Sequence, residues 1–94
     1  MPNLALQEVT VTATSYANDP DIEYGFEADS TTVVNRETTT GDEVRFSFDG
    51  VGDHGVVVAA LVPFMSIRSK RTAIWLRRTS AGSSVVNVLA DTVR

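Results

Sequence analysis

Apolar residues recur at every second position along this chain, and almost nowhere at the three-and-four spacing of a helix. The stretch EVTVTAT at 8–14 puts Val9, Val11 and Ala13 on one face of a strand, and Glu8, Thr10, Thr12 and Thr14 on the other. IEYGFEA at 22–28 alternates in the same way, with Ile22, Tyr24 and Phe26 on one side, and Gly25 inside it predicts a bulge. VRFSFD at 44–49 sends Val44, Phe46 and Phe48 inward. TAIWLRR at 72–78 separates Ala73, Trp75 and Arg77 from Ile74, Leu76 and Arg78. VVNVLADTV at 85–93 reads as the last strand.

These runs predict an all-β chain: a small antiparallel β-sandwich or β-barrel of six to seven strands, which period-two reasoning does not separate. The 94 residues make one β domain over 1–94. Turn signals divide the strands. NDPD at 18–21 and TTTGDE at 38–43 are loops, and TSAGSS at 79–84 predicts a hairpin turn centred on Gly82. HGVVVAALV at 54–62 is apolar throughout and predicts a strand buried on both faces, by a second sheet or by another subunit. Leu4 and Leu6 have the opposite parity to Val9 and Val11. Either a bulge near Gln7–Glu8 joins them, or residues 1–7 form an extended N-terminal arm that reaches a neighbour.

The turn DGVGDH at 49–54 holds the most chemistry. Asp49, Asp53 and His54 could offer metal ligands, but calcium wants about six to eight oxygens and zinc three or four ligands, while this chain has one histidine. Glycines that accept positive φ and aspartates that bond their own backbone are also what a β-connection requires. The turn is therefore expected to be structural. One histidine and no nucleophile-elbow, P-loop or dinucleotide motif leave no catalytic residue to name. No catalytic, metal or cofactor-binding residues are assigned, and no enzyme is expected.

Net charge is −4, yet residues 1–49 carry ten acids and two bases while residues 50–94 carry two acids and six bases. Opposed halves can pair within one subunit or between subunits. With no cysteine, disulfide staples are excluded. The start, MPNLALQEVTV, lacks a basic n-region and a long apolar core, so no signal peptide is expected, and no run is long enough to cross a bilayer as a helix. Arg68, Lys70, Arg71, Arg77 and Arg78, with Trp75 and Phe64 nearby, could clamp a single-stranded nucleic acid. Trp75 between Ile74 and Leu76 reads better as packed, and Trp and Arg are favoured at protein interfaces.

RFSFDGVGDHGVVV, an apolar stop at LVPF, TAIWLRR and a valine-rich end VVNVLA together resemble small virion structural proteins of tailed bacteriophages, over about residues 44–90. That resemblance implies a head decoration (cement) protein, homo-oligomeric and often trimeric, located in the virion after assembly in the host cytoplasm. Its partners would be itself and a major capsid or other virion protein, with no cofactor, no membrane and no nucleic acid. A tail- or neck-associated protein, or a carbohydrate- or single-strand-binding module, is the alternative. The interface candidates are Leu4, Leu6, Val56, Val58, Phe64, Met65, Arg68, Trp75, Arg77 and Arg78.

Overall fold

A computed structural model describes residues 4–92. They form eight strands: β1 (Leu4–Val11), β2 (Ile22–Ala28), β3 (Ser30–Asn35), β4 (Glu43–Ser47), β5 (Gly55–Val58), β6 (Phe64–Ile67), β7 (Arg71–Arg78) and β8 (Ser84–Asp91). There is no helix among the described residues. The strands make two open four-stranded sheets, ordered β1-β8-β3-β6 and β2-β7-β4-β5. Every pairing is antiparallel, and only β4 and β5 are neighbours in both sequence and sheet.

Both sheets contribute to one core. Val11, Val33, Val86, Val88 and Ala90 come from the first; Ile22, Tyr24, Val44, Phe46, Val57, Ile74 and Leu76 come from the second. Val44 and Phe46 are inward, as the alternation of 44–49 predicts. Phe46 meets Phe48 edge-on at 5.6 Å between centroids, and the buried Tyr24 hydroxyl hydrogen-bonds Thr31 Oγ1 at 3.1 Å across the sheets. Gly55 must lack a side chain: a Cβ there would lie 2.3 Å from the Phe46 ring and 2.8 Å from Met65 Sδ.

Four expectations change. The strand count rises to eight, because Asp29 interrupts the extended run 22–35 and carries the chain from one sheet to the other, and because Phe64–Ile67 forms a strand of its own. TSAGSS is not a hairpin turn. β7 and β8 lie in different sheets, so it is a crossover. HGVVVAALV is not a strand buried on both faces. β5 stops at Val58, Ala60 turns with φ +66°, and the Val62 N–H returns to Val58 O at 2.9 Å. Only the inner face of this sheet is covered, so Val57 is buried while Val56 and Val58 face outward half-buried, and Leu61 and Val62 are left exposed.

The fourth concerns the N-terminus. Leu4 through Val11 pairs with Asp91 through Ser84 in unbroken register, with no bulge at Gln7–Glu8. Residues 4–7 therefore belong to β1 and are not separate from it; the rest of the expected arm, 1–3, lies outside the described residues. The parity conflict has a simple resolution: Val9 and Val11 point inward, and Leu4 and Leu6 point out. The bulge expected at Gly25 is present. The β2–β7 register shifts between Glu23 and Ala28, and Gly25 has φ +81°.

Candidate interaction surfaces

The outer face of the first sheet is built by four strands in register. Leu6 lies opposite Leu89, Leu89 opposite Thr32, and Thr32 opposite Ser66. The next row runs Glu8, Asn87, Val34, Phe64. Leu4 and Leu6 are each 67% exposed and Phe64 61%, while Val34, Val85 and Leu89 are half-buried between them. Leucines thus crowd the β1 end and Val34 with Phe64 the β6 end. Thr32 and Ser66, beside Val34 and Phe64 on the same two strands, share a 2.7 Å hydrogen bond. Leu61 and Val62 are also exposed, in the turn after β5 where Val62 bridges Val58. Water gains nothing from such residues, so a protein that displays them in a patch commonly covers them with another protein.

The outer face of the second sheet is different: it carries a charged clamp. The DGVGDH turn is held by its own side chains. Asp49 Oδ1 accepts from the N–H of Val51 at 2.8 Å and of Gly52 at 3.2 Å and from Ser47 Oγ at 2.8 Å. These bonds, the Val51 N–H foremost, lower the Asp49 pKa to about 2. His54 Nδ1 accepts from the Phe48 N–H at 2.9 Å, which spends that nitrogen inside the turn. Gly50 has φ +76° and lies on Trp75, where a Cβ would come within 2.9 Å of the indole. Trp75 Nε1 is buried beneath it without a hydrogen-bond partner.

Asp53, at the end of the turn, gathers the clamp. Arg77 donates to it twice, Nε to Oδ1 at 3.1 Å and Nη2 to Oδ2 at 2.8 Å, Arg45 Nη1 donates at 3.1 Å, and the Tyr16 hydroxyl donates to Oδ1. Arg77 foremost, with Tyr16 and Arg45, holds the Asp53 carboxyl far below the usual range. Tyr16 is pushed up, first by burial and then by Asp53. A shallow groove of about 490 Å³ lies between the 14–16 and 50–53 segments, with Arg77 in its lining. Its charges are already paired with one another.

Arg78 is the clearest misplacement of the interface set. It is buried at 7% exposure, on the inward side of β7 with Ile74 and Leu76. Its Nη1 donates to Asp42 Oδ1 at 2.7 Å and to Ser84 Oγ, and Nε donates to Ser80 O at 3.1 Å. Ser84 Oγ also donates to Asp42 Oδ2 at 2.6 Å, and Asn35 Nδ2 donates to Asp42 O at 3.0 Å. Burial works against the Asp42 charge, but Ser84, Arg78 and Asn35 outweigh it and keep its pKa below the ordinary value.

The other candidates fall into groups. Leu4, Leu6 and Phe64 share one outer face. Met65 packs inward against the core. Val56 and Val58 lie on the opposite outer face with Arg77, and Trp75 is packed under Gly50 rather than displayed as a platform. Arg68 is exposed after β6. The basic set is dispersed: Lys70 is 3.7 Å from Glu27, Arg71 stacks on Phe48 at 4.7 Å, Arg77 holds Asp53 and Arg78 holds Asp42. Sequence reasoning missed Tyr16, Arg45 and Asp42. The available signal was Arg78 itself, since an arginine at inward parity needs a buried carboxylate.

No family model matches the chain, and no curated protein matches it. Solved structures with an overall likeness include a protein of Bacillus endospore appendages, described as disulfide-linked pili. It is 15% identical over 98% of this chain and 89% of that one, with a TM-score of 0.47. A mitogen from Yersinia pseudotuberculosis is 12% identical over 98% and 87%, with a TM-score of 0.46. The Drosophila NLP core, described with pentamer formation and histone binding, is 9% identical over 92% and 96%, with a TM-score of 0.48. No residue role is carried over from any of them.

Proposed function

We propose that this chain is a structural subunit of a tailed-phage particle, a head decoration protein that works by binding other protein subunits and performs no catalysis. One observation carries the binding reading: Leu4, Leu6 and Phe64 stand exposed around Leu89 and Val34 on the outer face of the first sheet. The particle itself comes from the resemblance over residues 44–90. In the same reading the two open sheets are the layers of a β-sandwich rather than a closed barrel, which leaves each outer face free for its own task. A subunit that binds only the assembled lattice stabilises it by mass action, and many copies add avidity.

The charged clamp supports the reading indirectly. It ties the 14–16 and 50–53 segments to the second sheet, so the opposite face is presented by a rigid body at small ordering cost. Particles purified from the host that carries the gene provide the test. Quantitative mass spectrometry should find the chain at a fixed ratio to the major capsid protein. A chain abundant in the lysate but absent from the particles would overturn the proposal.

A further inference from the structure

The four edge strands are protected very unequally. An edge presents a row of free N–H and C=O groups, and proteins that stay apart blunt it with bulges, prolines, charges or short strands. β2 has the Gly25 bulge and the exposed acids Glu23 and Glu27. β5 has four residues, and its end is closed by the Val58–Val62 bridge. β6 has four residues, with Pro63 before it and Arg68 and Lys70 after it. β1 has eight residues in unbroken register with β8, no proline, no glycine, no lysine and a single charge, Glu8.

We infer that the free edge of β1 pairs antiparallel with β1 of a second copy, joining two four-stranded sheets into one of eight strands. An antiparallel edge is its own complement under a two-fold axis, which is why a second copy fits it. The side chains select the register. The axis must pass through a residue if both outer faces are to lie on the same side, because a one-residue slip would turn one copy over. Centred on Glu8, the pairing would set the two acids opposite each other. Centred on Leu6, it sets Leu6 against Leu6 of the second copy, with Leu89 of each copy behind, so that four leucines cross the dyad in one row. Glu8 then faces Leu4 of the second copy. The result is a doubled apolar face that stays open on one side. The inference is independent of the phage reading: a dimer that ignores particles leaves it standing.

Sedimentation equilibrium on the full chain and two variants tests it. Leu4 and Leu6 are exposed in the subunit, so Leu4→Lys and Leu6→Lys should both keep the wild-type circular dichroism. The wild type should be a dimer at micromolar concentration. Leu6→Lys sets lysine against lysine and should weaken the dimer by at least about tenfold. Leu4→Lys faces Glu8 of the second copy and should leave the dimer as tight or tighter at low salt, and salt-sensitive. Adding Glu8→Lys to Leu4→Lys should reverse that gain. A monomeric or trimeric wild type overturns the inference. So do equal losses from the two single lysines, which would mean that Leu6 does not stand against itself across the dyad.

Discussion

Arg78 shows how one side chain can be grouped with the right neighbours and still be misread. The alternation sets it on one face of β7 with Ile74 and Leu76 without saying which face is inner; in the structure that face is the inner one, and Arg78 lies 2.7 Å from Asp42. Arginine is common at interfaces, but inward parity is the stronger fact. A guanidinium facing the core must be neutralised there, and the partner comes from a loop that no local pattern links to β7. Removing one member strands the other charge. Arg78→Met should therefore cost about 3–5 kcal/mol, much of the stability of a domain this size, when read by urea unfolding. Arg78→Met with Asp42→Leu should recover most of the loss, because an apolar pair of similar volume removes the stranded charge. A single variant as stable as the wild type would show that the pair is not structural.

At the scale of elements, β2, β4, β7 and β8 were legible because alternation, Gly25 and the flanking turn residues agree on each of them. What was not legible is which sheet a strand joins. Val56, Val57 and Val58 look alike in sequence, yet only Val57 is fully buried, because only the inner face of its sheet is covered. Gly82 signals a turn but not whether the chain re-enters the same sheet. The 49–54 turn was legible as structural chemistry, whereas its link through Asp53 to Tyr16 and Arg45 depends on tertiary contacts. The exposed leucines of β1 were legible as a surface feature; their neighbours Leu89, Val34 and Phe64 became so only through register.

Three carboxylates make the fold acid-sensitive. Asp49 and Asp53 in the 49–54 turn, and Asp42 beside Arg78, all have folded pKa values below the ordinary carboxylate value. Depressed carboxyls contribute stability that is fully present above about pH 4 and lost as pH falls through their folded values, about 2 for Asp49. Asp21 acts oppositely. Burial raises its pKa despite the Leu76 N–H, so it takes up its proton earlier in the folded state. Three depressed groups against one raised group give a net loss on acidification. The urea midpoint should fall steadily between pH 5 and pH 2, and Asp49→Ala should reduce that slope. A midpoint unchanged over this range would contradict the arrangement of the clamp.

Across the whole molecule the two outer faces divide the work. The second sheet spends its charges internally, on Asp53, Arg45, Arg77 and the 49–54 turn. The first sheet leaves its apolar residues uncovered and its β1 edge open. A small domain gains stability by covering such residues, and their exposure in the lone subunit supports the proposal that a partner covers them. We propose this face as the working surface. Binding of the purified chain to particles lacking it tests that claim most directly, with Phe64→Asp compared against Val56→Asp. Both residues lie on outer faces, Phe64 on the first sheet and Val56 on the second. Phe64→Asp should weaken binding by at least about tenfold, while Val56→Asp should bind as the wild type does. Equal affinities for the two variants, or a loss confined to Val56→Asp, would contradict the account.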